Sequence, residues 1–174
     1  MHTKLEELYL EAEADIRNNS YVEAFRKYEA ILYDEPGNGP TLNSLGWLYK
    51  TQIEDYRKAE KFYLGCMNAN PSYPHAYINY AALLTDMERY AELEKHLQKC
   101  LTIPTIEKSI VYLRFGIMQE LKLSFNEAIN YYERAMLTTL SDEKIKDYQE
   151  NVNRCRAKLE LGRQNGFLEE NATK

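Results

Sequence analysis

Residues 21–36 read YVEAFRKYEAILYDEP, and the pattern returns at 55–71 (DYRKAEKFYLGCMNANP), 89–104 (RYAELEKHLQKCLTIP) and 124–140 (SFNEAINYYERAMLTTL). Each segment opens on a polar turn and an aromatic, and Tyr21, Tyr56, Tyr90 and Phe125 recur 34 or 35 residues apart. Three residues after each aromatic stand Ala24, Ala59, Leu93 and Ala128; four further on come Tyr28, Tyr63, Leu97 and Tyr132. Offsets of three and four collect these side chains on one helical face, which must be buried against a neighbour. A fixed period of this length is the mark of stacked repeats.

A second series precedes each segment: Leu45-Gly46 with Tyr49, Tyr80-Ala81 with Leu84, and Phe115-Gly116 upstream of Gln119. Gly46, Ala81 and Gly116 are each 35 residues apart, and Ala12 extends the series upstream. A small residue inside a helix costs propensity, so its expected use is close approach of a neighbouring helix backbone.

With both series in register, the chain resembles the tetratricopeptide family, whose pattern runs W-x-x-L-G-x-x-Y, then A-x-x-x-F, then P. The second repeat matches best, with Leu42, Leu45, Gly46, Tyr49, Ala59, Tyr63 and Pro71. The first keeps Leu8, Ala12, Ala24, Tyr28 and Pro36, the third Ala81 and Pro104, and the fourth Gly116, Ala128, Tyr132 and Ala135. Glu11, Asp15 and Gln119 depart from the apolar pattern, and Leu140 stands where proline is expected. The resemblance implies an all-α, right-handed α-α superhelical solenoid of four tetratricopeptide-type helix pairs over residues 3–140, at about 3–36, 37–71, 72–104 and 105–140.

Residues 141–161 read as a C-terminal capping helix. Ser141 supplies the N-cap and Asp142-Glu143 the first-turn charge; Ile145, Tyr148, Val152, Cys155 and Leu159 form one apolar stripe, with Lys144, Lys146, Glu150, Arg154 and Lys158 outside it. Such a helix covers the apolar face that a repeat array leaves open at its end. Gly162 is expected to end it, leaving 162–174 as a polar tail.

Composition agrees with helix throughout: seven glycines and five prolines are few for this length. The fifteen tyrosines read mainly as core, with hydroxyls reaching the surface. Twenty-two basic against 27 acidic residues give a net charge of −5, so neither nucleic acid nor an anionic membrane is an expected partner. No apolar signal segment or membrane-spanning run occurs, and three scattered cysteines, Cys66, Cys100 and Cys155, suit a reducing compartment; the expected location is cytoplasmic. The Asn18-Asn19-Ser20 and Asn171-Ala172-Thr173 sequons therefore carry no expectation of glycosylation.

No enzyme is expected. The chain has no G-x-S-x-G, H-E-x-x-H, Walker loop or dinucleotide turn, and His2, His75 and His96 are scattered, so no cofactor and no metal site are expected. His96, beside Leu97, reads as solvated, and Cys66 and Cys100 fall in the small-residue packing register of Ala135. The pairs Glu6-Glu7, Asp142-Glu143 and Glu169-Glu170 read as helix-start or solvated charge.

In the resembled family the first helix of each repeat lines a concave groove, so the columns Ser44, Asn79, Arg114; Tyr9, Asn43, Ile78, Leu113; and Glu13, Trp47, Ala82, Ile117 would share it. The candidate groove residues are Tyr9, Asn43, Ser44, Trp47, His75, Asn79 and Arg114. Asn79 can bond a peptide backbone, Arg114 can clamp a carboxylate, and Trp47 can serve as an aromatic anchor or as packing between repeats. The family's chaperone-carboxylate clamp needs Lys and Asn on the first repeat, where Tyr9 and Glu13 stand, so that variant is not expected. The resemblance implies a protein-interaction scaffold that holds a peptide or helix of another protein. Two other readings stand beside it: a secretion-type or assembly chaperone for one client, and a structural protein that self-associates.

Overall fold

The structure is a computed structural model and describes residues 2–166, all helix and turn with no strand among them. The Asn171 sequon and the Glu169-Glu170 pair lie outside the described residues. The helices gather into two compact units, Met1–Arg89 and Tyr90–Lys174.

The first unit contains α1 (His2–Arg17), α2 (Tyr21–Asp34), α3 (Gly39–Thr51), α4 (Tyr56–Ala69) and α5 (Pro74–Asp86). Asn38 caps α3 by accepting from the Thr41 amide at 3.1 Å, and Asp55 caps α4 from the Lys58 amide at 3.0 Å. Pro40 and Pro74 sit in the first turns of α3 and α5, where a missing N–H costs nothing. α1 pairs with α2, α3 with α4, and α5 packs on α4 and α3. One core joins Ala12, Ala24, Tyr28, Ile31, Leu45 and Leu48, and a second joins Leu42, Cys66 and Ala76.

The second unit contains α6 (Tyr90–Cys100), α7 (Lys108–Leu121), α8 (Phe125–Leu137) and α9 (Asp142–Gln164). Phe125, Ala128 and Tyr132 of α8 share a core with Val152 and Cys155 of α9, and Ser141 caps α9 through the Lys144 amide at 3.3 Å.

The small-residue series has a use other than the expected one. Tyrosine rings, rather than backbone, fill the space: a Cβ on Gly46 would stand 2.6 Å from the Tyr63 ring, and one on Gly116 would stand 2.4 Å from the Tyr132 ring. The tyrosine hydroxyls do not all reach the surface either. Tyr28, Tyr63 and Tyr132 are fully buried, and two of them find carboxylates: Tyr28 donates to Glu13, and Tyr132 to Glu120 at 2.7 Å.

Three details of α9 differ from expectation. Gly162 is a buried residue within the helix, which runs on to Gln164. Ile145 leaves the stripe and is 37 % exposed, one turn before Tyr148, where burial begins. Arg154 and Lys158 are not idle outer charges: Arg154 grips Glu120 through two bonds of 2.8 Å, and Lys158 adds a third at 2.8 Å. His96 is likewise half-buried, its Nε2 3.5 Å from the Cys100 sulfur.

A regularity invisible in residue types appears in the backbone. Asn19, Glu54, Glu88 and Leu123 all take positive φ, between 55° and 62°, each in the turn joining the two helices of a repeat. The following amide then bonds back to the end of the first helix, as Ser20 does to Asp15 at 2.8 Å and Ser124 to Gln119 at 2.9 Å.

Candidate functional site

A cleft of about 310 Å³ opens in the first unit between α1, α3 and the start of α5. From α1 come Tyr9, Glu13 and Ile16, one turn apart; from α3 come Asn43, Ser44 and Trp47; from α5 and its N-cap come Tyr73, His75 and Asn79. Tyr28 of α2 reaches it from beneath. The spacing of three and four along α1 and α3 aims each set at the same space.

Hydroxyls order the floor. Tyr28 donates to Glu13 Oε1 at 2.5 Å, and Ser44 donates to the same oxygen at 3.0 Å. With the Ser44 proton committed, Tyr9 donates to Ser44 Oγ at 3.2 Å. Burial, first of all, pushes both tyrosines well above the usual phenol range, Tyr28 with help from its bond to Glu13, so both remain neutral donors. The Tyr28 and Ser44 bonds both fall on Glu13 Oε1, and Tyr9 also bears on the same carboxylate.

The wall beside this floor is polar and aromatic. Asn79 Nδ2 donates to Asn43 Oδ1 at 2.9 Å, joining α5 to α3. The Tyr9 and Tyr28 rings lie 5.9 Å apart, and the Tyr73 and His75 rings 5.3 Å apart. Trp47 is half-buried, packed on the first core from one side and lining the cleft with the other.

Six of the seven residues picked out from the sequence therefore meet in one cleft: Tyr9, Asn43, Ser44, Trp47, His75 and Asn79. Arg114 belongs to the second unit, where it lies half-buried on α7. Glu13 belongs to a groove column but not to the candidate set, and Ile16, Tyr28 and Tyr73 belong to neither. For Glu13 the signal was available, since it shares a repeat column with Trp47 and sits one turn after Tyr9.

The remaining chemistry is quiet. Burial pushes the thiols up, Cys66 to about 11, Cys100 to about 12 and Cys155 to about 11, so all three are protonated near neutrality. Among the described residues no group of three or more His, Cys, Asp or Glu could hold a metal ion, and no helix is long and apolar enough to cross a membrane.

The hairpins and their register place the chain among known proteins. The tetratricopeptide repeat profile matches residues 40–73, and the fold is like that of solved tetratricopeptide-repeat structures. It is similar to PilW, a widely conserved type IV pilus biogenesis factor, with a TM-score of 0.69 and 19 % identity over 86 % of this chain and 78 % of PilW. Yeast Tom70 superposes with a TM-score of 0.73 at 15 % identity over 91 % of this chain, which spans only 34 % of Tom70. YrrB, described as a tetratricopeptide-repeat protein with an unusual peptide-binding site, gives a TM-score of 0.63 at 16 % identity over 88 % of this chain and 76 % of its own. No curated protein matches the chain in sequence.

Proposed function

We propose that this protein is a binding module that holds a peptide segment of a partner protein in the cleft between α1, α3 and α5, without catalysing a reaction on it. The convergence of Trp47, Asn79, Asn43 and Tyr9 on one recess of about 310 Å³ carries the reading. That volume is at the lower end of the ~300–1,000 Å³ typical of ligand sites, which suits one anchoring side chain and its flanking backbone. A whole helix needs a longer apolar trough. Trp47 supplies an aromatic anchor already fixed by its packed side, so little ordering entropy is lost on binding. Asn79 supplies a backbone partner already oriented by Asn43. The peptide-binding description of YrrB lends the fold a precedent. Three free cysteines support a reducing, cytoplasmic setting.

The test is a solid-phase library of acetylated hexapeptides probed with wild type, Trp47→Ala and Asn79→Ala. Wild type should retain a restricted peptide set, and each variant should weaken it by about tenfold or more. Equal retention by all three proteins contradicts the reading.

A further inference from the structure

We infer that the side chain this cleft selects is basic, a lysine or arginine whose charge meets Glu13; the inference rests on the peptide-binding reading above. Among the described residues of the first unit, Glu13 is the one carboxylate lining the cleft, and no lysine or arginine lines it. Tyr28 and Ser44 both donate to Oε1, which fixes the carboxylate in place with hydroxyl donors only. Two neutral hydroxyls orient an anion but do not neutralise it.

Three cations of the same unit are engaged elsewhere. Lys27 sits 2.8 Å from Asp15 and 3.2 Å from Glu11, Lys50 sits 2.6 Å from Asp86, and Arg89 sits 2.9 Å from Glu60. A half-buried carboxylate without a counter-ion is a standing electrostatic cost, and an incoming cation removes it.

The walls make the same selection. Aromatic faces such as Trp47 and Tyr73 attract a cation through their quadrupole and repel an anion, while the long methylene stem of lysine or arginine packs on their apolar surface. Glu13 at the floor repels aspartate and glutamate outright. The recess is therefore opposite in sign to a carboxylate clamp.

The experiment uses the same hexapeptide library with lysine, acetyl-lysine, arginine, citrulline and glutamate exchanged at each position, read on wild type, Glu13→Gln and Trp47→Ala. Wild type should prefer lysine or arginine at one position over acetyl-lysine or citrulline by about tenfold, as a charge-assisted bond at a partly buried site provides. Glu13→Gln keeps an acceptor for Tyr28 and Ser44 but removes the charge, and should reduce that preference to within about twofold. Trp47-dependent binding with no basic preference, or a preference unchanged in Glu13→Gln, overturns this inference and leaves the peptide-binding reading standing. Absence of any Trp47-dependent binding overturns both. The comparison of lysine with acetyl-lysine on wild type decides the matter even if the Glu13 variant fails to fold.

Discussion

Tyr63 occupies the space that a side chain on Gly46 would need, its Cε1 standing 2.6 Å from where that Cβ would be. Tyr63 is fully buried and cannot swing away into solvent. Gly46→Ala should therefore destabilise the first unit by about 1–2 kcal/mol, an overpacking cost partly offset by better helix propensity. Gly65, in the middle of α4, has nothing within 4 Å of its would-be Cβ, so Gly65→Ala should stabilise by about 0.5–1 kcal/mol. Urea unfolding of the two variants should move the midpoint in opposite directions; a shift of the same sign in both contradicts the packing account.

Leu123 holds φ at 62° although it is neither glycine nor asparagine, and its side chain is 63 % exposed. Left-handed backbone costs a branched residue roughly 1 kcal/mol, and asparagine tolerates it better, as Asn19 does in the first repeat. Leu123→Asn should raise stability by up to about 1 kcal/mol with no loss of burial, measured by thermal or urea unfolding.

Glu120 is 8 % exposed, and Arg154, with Lys158 and the Tyr132 hydroxyl, holds its carboxyl well below the usual glutamate range. A depressed folded pKa contributes stability above the unfolded value of about 4.3, lost as pH falls from there towards the folded value. Glu120→Gln should cost about 2 kcal/mol at neutral pH, less than a fully buried pair because Arg154 is 47 % exposed. The gap between wild type and variant should narrow as pH drops below about 4; a gap independent of pH sinks the argument.

Cys66, Cys100 and Cys155 are buried and their thiols are shifted upward. A thiol reagent at neutral pH should label them only in denaturant, and rapid labelling of the native protein contradicts their placement.

These contrasts mark what could be read from residue types. Tyr28, Tyr63 and Tyr132 revealed the repeat because a recurring aromatic must recur in a core, and Gly46 and Gly116 because room for a ring is a packing need. Asn19, Glu54, Glu88 and Leu123 did not stand out, since they share a dihedral angle and no chemistry. The pairing of Glu120 with Arg154 is not legible in residue spacing, because it spans α7 and α9 and helical spacing describes only neighbours along one helix. Tyr9 with Asn43, Ser44 with Asn79 and Glu13 with Trp47 share repeat columns and line the cleft, whereas the role of the Glu13 charge depends on where Tyr28 and Ser44 direct their protons.

Trp47 is the only tryptophan in the chain and lines the cleft, so its emission reports on that site alone. Titrating the wild-type protein with a library-selected hexapeptide while recording tryptophan fluorescence tests the central claim most directly. A saturable change in intensity or wavelength, reduced about tenfold in apparent affinity by Asn79→Ala, is the result expected of a peptide held against Trp47. Binding detected by an independent probe with the Trp47 emission unmoved would place the partner elsewhere and contradict the account.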